Sequence, residues 1–249
     1  MFKLNKIAGS VIAATAILGS AGVALADGYV PKGKVAYERP TNWSGFYFGV
    51  SSGYAWSSYD AEFTGFGTTF GVDPNAAIVG AHIGLQHQFG SVVLGVEGNW
   101  QSAFRGDGFD DTSCPGATFT CAARFNDVLT VGGRLGWAAG HWMPYVTGGY
   151  ATARFESEIR TAATGALRSS SGGRHDGWYI GGGVEWAVSP GWTVGVEYRH
   201  YELGDATYDF TAPGGAVLAV DQTVADVTLD TVSARVSWRW GRPEPRPLK

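Results

Sequence analysis

The chain has 249 residues, including 38 glycines, ten tryptophans and two cysteines, and its formal net charge at pH 7 is −4. The acidic balance and the lack of a basic stripe exclude a general nucleic-acid binder, and no run of about 18 apolar residues beyond the N-terminus offers a transmembrane helix. Between Lys34 and Lys249 there is no lysine, although a soluble domain of this length would spread lysines over its surface.

The N-terminus comes first in chain order. Lys3 and Lys6 precede a small-residue and apolar stretch that ends in Ala24-Leu25-Ala26, an A-x-A cleavage site. Residues 1–26 are therefore expected to be a secretory signal, and its removal shifts the net charge from −4 to −6. Residues 27–42 are expected to be a periplasmic lead.

From residue 43 onward, apolar side chains recur with period two, which is strand periodicity with one apolar and one polar or glycine-rich face. The first element, "WSGFYFGVSSGYAW" (43–56), puts Phe46, Phe48 and Val50 on one side and Gly45, Gly49 and Gly53 on the other. In 76–89, Val79, Ala81, Ile83, Leu85 and Phe89 oppose Gly80, His82, Gly84, Gln86 and Gln88. In 91–105, Val92, Leu94, Val96 and Trp100 oppose Glu97, Asn99 and Gln101. Strands over 122–138 and 143–157 follow. In the latter, Val146 and Ala151, Ala153 and Phe155 fall on opposite parities, and a bulge at Gly148-Gly149 would reconcile them. The last three strands, 176–188, 192–203 and 228–240, alternate cleanly, ending on Val232, Ala234, Val236, Trp238 and Trp240 against Ser233, Arg235, Ser237 and Arg239.

Tight turns around Gly90, Gly140 and Pro190-Gly191 alternate with long polar stretches over 57–75, 106–122, 158–175 and 204–227. Eight antiparallel strands fit either a soluble barrel with its apolar rows inside or a membrane barrel with those rows outside. Three features favour the membrane. Trp43, Trp56, Trp100, Trp137, Trp142, Trp178, Trp186, Trp192, Trp238 and Trp240 lie in or beside strands, and with Tyr150, Tyr198 and Tyr201 they form two aromatic girdles. The polar faces carry Glu97, Arg134, Glu185, Glu197, Arg199, Arg235 and Arg239, an arginine–glutamate set without lysine. Short turns on one side and long loops on the other match outer-membrane barrels.

The blocks "WSGFYFGVSSGYAW", "GAHIGLQHQFGSVVLGVEGNW" and "GWYIGGGVEWAVSPGWTVGVEYRHYELG" resemble the small opacity-type outer-membrane β-barrel family of Gram-negative bacteria, in particular its porin-like alphaproteobacterial members. The resemblance covers most of 43–240 and implies an eight-stranded, all-β, up-and-down transmembrane barrel. It also implies termini in the periplasm and four variable surface loops. Some members are adhesins or haem binders, activities that do not transfer without support from the loops. One departure is that such barrels usually end on an aromatic, whereas "GRPEPRPLK" follows Trp240 here and reads as a periplasmic tail over 241–249.

Eight strands leave a lumen just wide enough for side chains to fill, and buried charge is tolerated only when paired. The seven inner charges are therefore expected to form a structural network, with a narrow polar conduit as the competing reading. His82 joins that network rather than binding a ligand. Cys114 and Cys121 are expected to form a loop disulfide in an oxidising compartment, and two cysteines without a histidine make an incomplete metal site. A lipid hydrolase would draw on His175, Asp176, His200 and the serines at 169–171, but nothing in the spacing fixes a triad. The expectation is therefore an outer-membrane protein without catalytic residues, cofactor or metal, serving a structural or surface-interacting role. Its expected partners are outer-membrane lipids and lipopolysaccharide, the barrel assembly machinery, and an extracellular ligand or host surface reached through the loops.

Overall fold

A computed structural model of the chain describes residues 41–63, 68–73, 75–106, 110–113 and 118–240. The expected signal, the C-terminal tail and Cys114 lie outside the described residues. The described residues form ten strands: β1 (Gly45–Phe63), β2 (Thr68–Val72), β3 (Asn75–Phe89), β4 (Val92–Gly106), β5 (Asp110–Ser113), β6 (Phe119–Trp137), β7 (Trp142–Thr161), β8 (Leu167–Ser189), β9 (Trp192–Thr211) and β10 (Val217–Trp240). Among the described residues there is no helix.

Eight of the strands form the barrel wall in the order β1, β3, β4, β6, β7, β8, β9, β10, all antiparallel. The sheet closes through pairing of β1 with β10, from Phe46 opposite Trp240 to Phe63 opposite Thr223. Closure removes the free edges of the membrane-crossing part of the wall and pairs its backbone groups internally, as hydrocarbon demands. The two short strands are additions at one end, β2 beside β1 and β5 beside β6. At the opposite end the turns are tight. Gly90 and Gly191 take positive φ there (63° and 84°), a conformation that costs glycine little.

The long polar stretches are mostly ladder rather than open loop. β7 and β8 stay paired as far as Arg160 opposite Leu167, and β9 and β10 as far as Thr211 opposite Val217. β7 shows how one chain suits two solvents. Over its first half the outward residues are Trp142, Val146 and Tyr150, with Met143, Tyr145 and Thr147 inside. Past Tyr150 the polarity reverses: Arg154, Glu156 and Glu158 point out, while Ala153, Phe155 and Ile159 are buried. The reversal marks where the wall leaves lipid for water.

It also removes the bulge expected at Gly148-Gly149. The register runs unbroken through both glycines against β6 and β8. The parity conflict arises because Val146 meets lipid while Ala151, Ala153 and Phe155 fill the interior. The irregularity lies instead in β6, between Phe125 and Asp127.

The outer face of the lower wall is apolar. Ile83 is 52% exposed, paired with Phe48 and Gly98 in the middle of the belt. Ile83→Arg is expected to destabilise the barrel by about 2–4 kcal/mol in phospholipid vesicles, the cost of a cation at the midplane of a membrane barrel wall. Urea titrations followed by tryptophan fluorescence read this directly, and a change near zero would contradict a lipid-facing Ile83.

Candidate functional site

The lumen is built in three layers. At the short-turn end Trp43 is fully buried. Its backbone N–H donates to Gln88 Oε1 (2.8 Å), its carbonyl accepts from Gln86 Nε2 (2.6 Å), and its indole N–H reaches the Gly140 carbonyl (3.4 Å). The Arg239 guanidinium lies 4.9 Å from the ring centroid, and Val93, Met143, Tyr145 and Ala187 form the buried cluster around it. Two expectations are corrected here. Trp43 is a cap on the lumen rather than a girdle residue, because it precedes the strand and folds inward under it. Arg239 makes no ion pair with the three lumen glutamates among the described residues. It stands two inward positions nearer the barrel end than Arg235 and stacks on Trp43 instead.

Above the cap lies the charged layer. Arg235 joins Glu97 (Nη2–Oε2, 2.6 Å) and Glu197 (Nη1–Oε2, 2.6 Å). Arg199 joins the same two carboxylates (2.6 and 2.8 Å). Arg134 joins Glu185 (2.7 Å) and stands 3.7 Å from Glu97. All six side chains are buried, and three cations match three anions, the condition under which buried charge is tolerated. The hydroxyls of Tyr47 and Tyr145 donate to Glu97 and Glu197, each at 2.8 Å, and Thr130 accepts from Arg199 (2.9 Å). The glycine-rich inner face makes room for these rings. A Cβ at Gly84 would sit 2.3 Å from Tyr47 Cζ, and one at Gly183 would sit 2.7 Å from the Tyr145 hydroxyl. His82 lies beside the network, with Nε2 2.8 Å from Ser237 Oγ.

The third layer, toward the long-loop end, is apolar. Phe125, Phe155, Ile78, Leu203, Leu229, Val227 and Ile159 form a buried cluster with the rings of Tyr179 and Tyr201. Its existence was not read from the sequence, and Tyr201 is a further correction, being wholly buried in this cluster rather than part of the outer girdle. The available signal was the reversed alternation in "ARFESEI" (153–159), where the apolar parity is the inward one.

The other nine tryptophans lie on the outer face of the wall. Trp100, Trp137, Trp142, Trp178, Trp186, Trp192 and Trp240 are exposed on the outer wall, with Trp56 and Trp238 half-buried on the same face. Trp142 and Trp186 stack with centroids 5.2 Å apart.

The hydrolase residues are not brought together. His175 is buried and its Nδ1 faces the Gly204 carbonyl at 3.0 Å. His200 is on the outer wall, 2.8 Å from Asp230, which also accepts from Tyr198 (2.6 Å). Asp176 accepts from Tyr150 (2.6 Å). Cys121 is buried in β6 opposite Thr112 of β5.

Beyond the girdle the outer wall of β6, β7 and β8 carries paired charges. Arg124 binds Glu156, and that guanidinium holds the Glu156 carboxyl below its usual range. Arg160 binds Glu158 (2.5 Å), and Arg174 lies 3.5 Å from Asp127.

The family comparison agrees with this architecture. A family model described as an outer membrane protein beta-barrel domain matches residues 12–239. The chain is 26% identical over 208 residues to the 31 kDa outer-membrane immunogenic protein of Brucella melitensis, covering 78% of this chain and 86% of that one. It is 25% identical over 176 residues to the 25 kDa outer-membrane immunogenic protein of Brucella abortus, covering 68% and 69%. Among solved structures, the outer membrane protein OprG from Pseudomonas aeruginosa aligns over 79% of this chain and 97% of its own, with 13% identity and a TM-score of 0.48.

Proposed function

Because the chain belongs to the outer membrane protein beta-barrel domain family, we propose that it is a filled barrel that anchors a surface-exposed end in the envelope, serving a structural and surface-interacting role rather than transport or catalysis. The observation that carries this reading is the layered lumen: Trp43 below, a neutral charge cluster in the middle and an apolar cluster above. An ion crossing it would have to displace paired charges and then enter an apolar layer, and each step is costly in free energy.

In this reading the short turns lie in the periplasm and the extended hairpins outside the cell, after removal of residues 1–26. Lipopolysaccharide surrounds the upper girdle, and the barrel assembly machinery inserts the chain. The word immunogenic in the names of both Brucella proteins supports surface presentation. The proposed disulfide joins Cys121 to Cys114, clasping the hairpin of β5 and β6. A hydrolase finds no support, since His175 faces the lumen and His200 the outer wall.

Planar bilayers test the reading. The purified full-length protein is expected to give no reproducible conductance steps in 1 M KCl (a salt of about 3 Å Debye length). Stable unitary steps would establish the porin-like alternative instead.

A further inference from the structure

The barrel wall is split at one place. The ladder between β8 and β9 runs from Ser189 opposite Trp192 to Gly177 opposite Leu203, and then resumes only at Ser170 opposite Thr211. The backbone of residues 171–176 does not pair with that of 204–210 across this seam, which His175 Nδ1 bridges to the Gly204 carbonyl at one end, although 171–176 remain paired with β7 on their other side. Backbone donors and acceptors along such an edge need partners. A cleft of about 470 Å³ adjoins it, lined by Arg154, Glu156, Glu158, Ser170, Ser171 and Thr211. That volume lies within the about 300–1,000 Å³ range of small-molecule sites.

The charges in the cleft are unequally committed. Glu156 is taken by Arg124 and Glu158 by Arg160. Arg154 has no ion-pair partner among the described residues, and it stands directly opposite Arg174 in the β7–β8 ladder. Like charges facing each other across a strand pair destabilise it. Arg174 reaches across β7 to Asp127 and Thr152; Asp127 is also the residue opposite Arg154 in the β6–β7 ladder, but Arg174 engages it, and the Arg154 guanidinium stays without an ion pair among the described residues. The hydroxyls and the free strand edge supply neutral donors and acceptors beside one cationic fork.

We propose that this cleft binds an anionic saccharide, a sugar phosphate or sugar acid, with Arg154 on the charged group and Ser170, Ser171, Thr211 and the open edge of β8 on the sugar hydroxyls. A planar guanidinium suits a phosphate or carboxylate bidentately. The site gives the surface-interacting reading a ligand class and rests on that reading for its exposure to the medium.

The test uses the full-length protein in lipid nanodiscs, titrated calorimetrically with glucose 1-phosphate, galacturonic acid and glucose. The two anionic sugars are expected to bind, with glucose weaker by about tenfold, the worth of one charge-assisted hydrogen bond. Arg154→Gln should remove that preference and Arg154→Lys should keep part of it, both with unchanged thermal unfolding because the side chain is exposed. Repeating the titration in nanodiscs containing lipopolysaccharide separates the sources. Loss of binding by competition identifies the cell's own glycolipid as the ligand, and undiminished binding identifies a soluble or host-borne saccharide. Equal affinity for glucose and glucose 1-phosphate, no effect of Arg154→Gln, or no binding of any probe would overturn the proposal. Conductance of the same sample separates that failure from failure of the filled-barrel reading.

Discussion

Arg235→Met is expected to cost about 3–5 kcal/mol of folding free energy, the usual result of removing one member of a buried ion pair. Arg235 holds Glu97 and Glu197 at 2.6 Å each, so its loss leaves the charged layer with three carboxylates against two guanidiniums, out of reach of water. Methionine keeps the volume of the side chain, and the loss therefore reports charge rather than a cavity. Equilibrium unfolding in urea, read by tryptophan fluorescence in phospholipid vesicles, measures it. Adding Glu197→Leu to Arg235→Met should recover part of the stability, because it withdraws one of the stranded charges. A loss below about 1 kcal/mol, typical of exposed pairs, would mean that water reaches the network and would count against a filled lumen.

Phe155→Ala should cost a similar amount, about 3–5 kcal/mol for a large aromatic deleted from a packed interior. Phe155 is buried against Phe125 (ring centroids 5.6 Å) and meets His175 edge-on (5.7 Å). The cavity left behind would open within the buried cluster, between Phe125 and His175. The same measurement on Val146→Ala, on the lipid face of the same strand, provides the contrast, since removing outward methyl groups opens no interior void. If Phe155→Ala costs no more than Val146→Ala, the upper lumen is wet and the apolar layer does not seal it.

The membrane-crossing part of the fold was legible because hydrocarbon imposes a simple rule, apolar residues out and polar residues in, which Val232 to Trp240 obey throughout and Val79 to Phe89 break only at His87 near the tight turn. The six buried charges of the network were legible for the same reason, each standing at the polar parity. What escaped is what obeys a different solvent. Beyond Tyr150 the outer wall faces water, so the same strand reverses its pattern and Phe155 becomes an interior residue. A reading that assumes one polarity throughout sees only a broken strand and supplies a bulge. Trp43 and Arg239 were misplaced because they lie at the end of the lumen, where an aromatic beside a turn can point outward to the headgroups or inward as a cap, and period two does not distinguish the two. The split between β8 and β9 has no sequence signal at all, since it depends on how two neighbouring strands diverge in space.

The closure of β1 on β10 sets an order of events. Glu97 arrives on β4, and Glu197 arrives on β9 with Arg199, which joins both carboxylates. Arg235, the second cation they share, arrives on β10. Until that strand docks, the layer holds three carboxylates against two guanidiniums, and a slip of one residue during docking would turn Arg235 toward lipid and leave the layer one cation short. Charge balance in the lumen is therefore coupled to closure: a barrel closed in the wrong register carries an uncompensated buried charge, which is costly. Pairing between the two ends of a chain is slow to form, and here it is also the step after which the barrel has little reason to reopen.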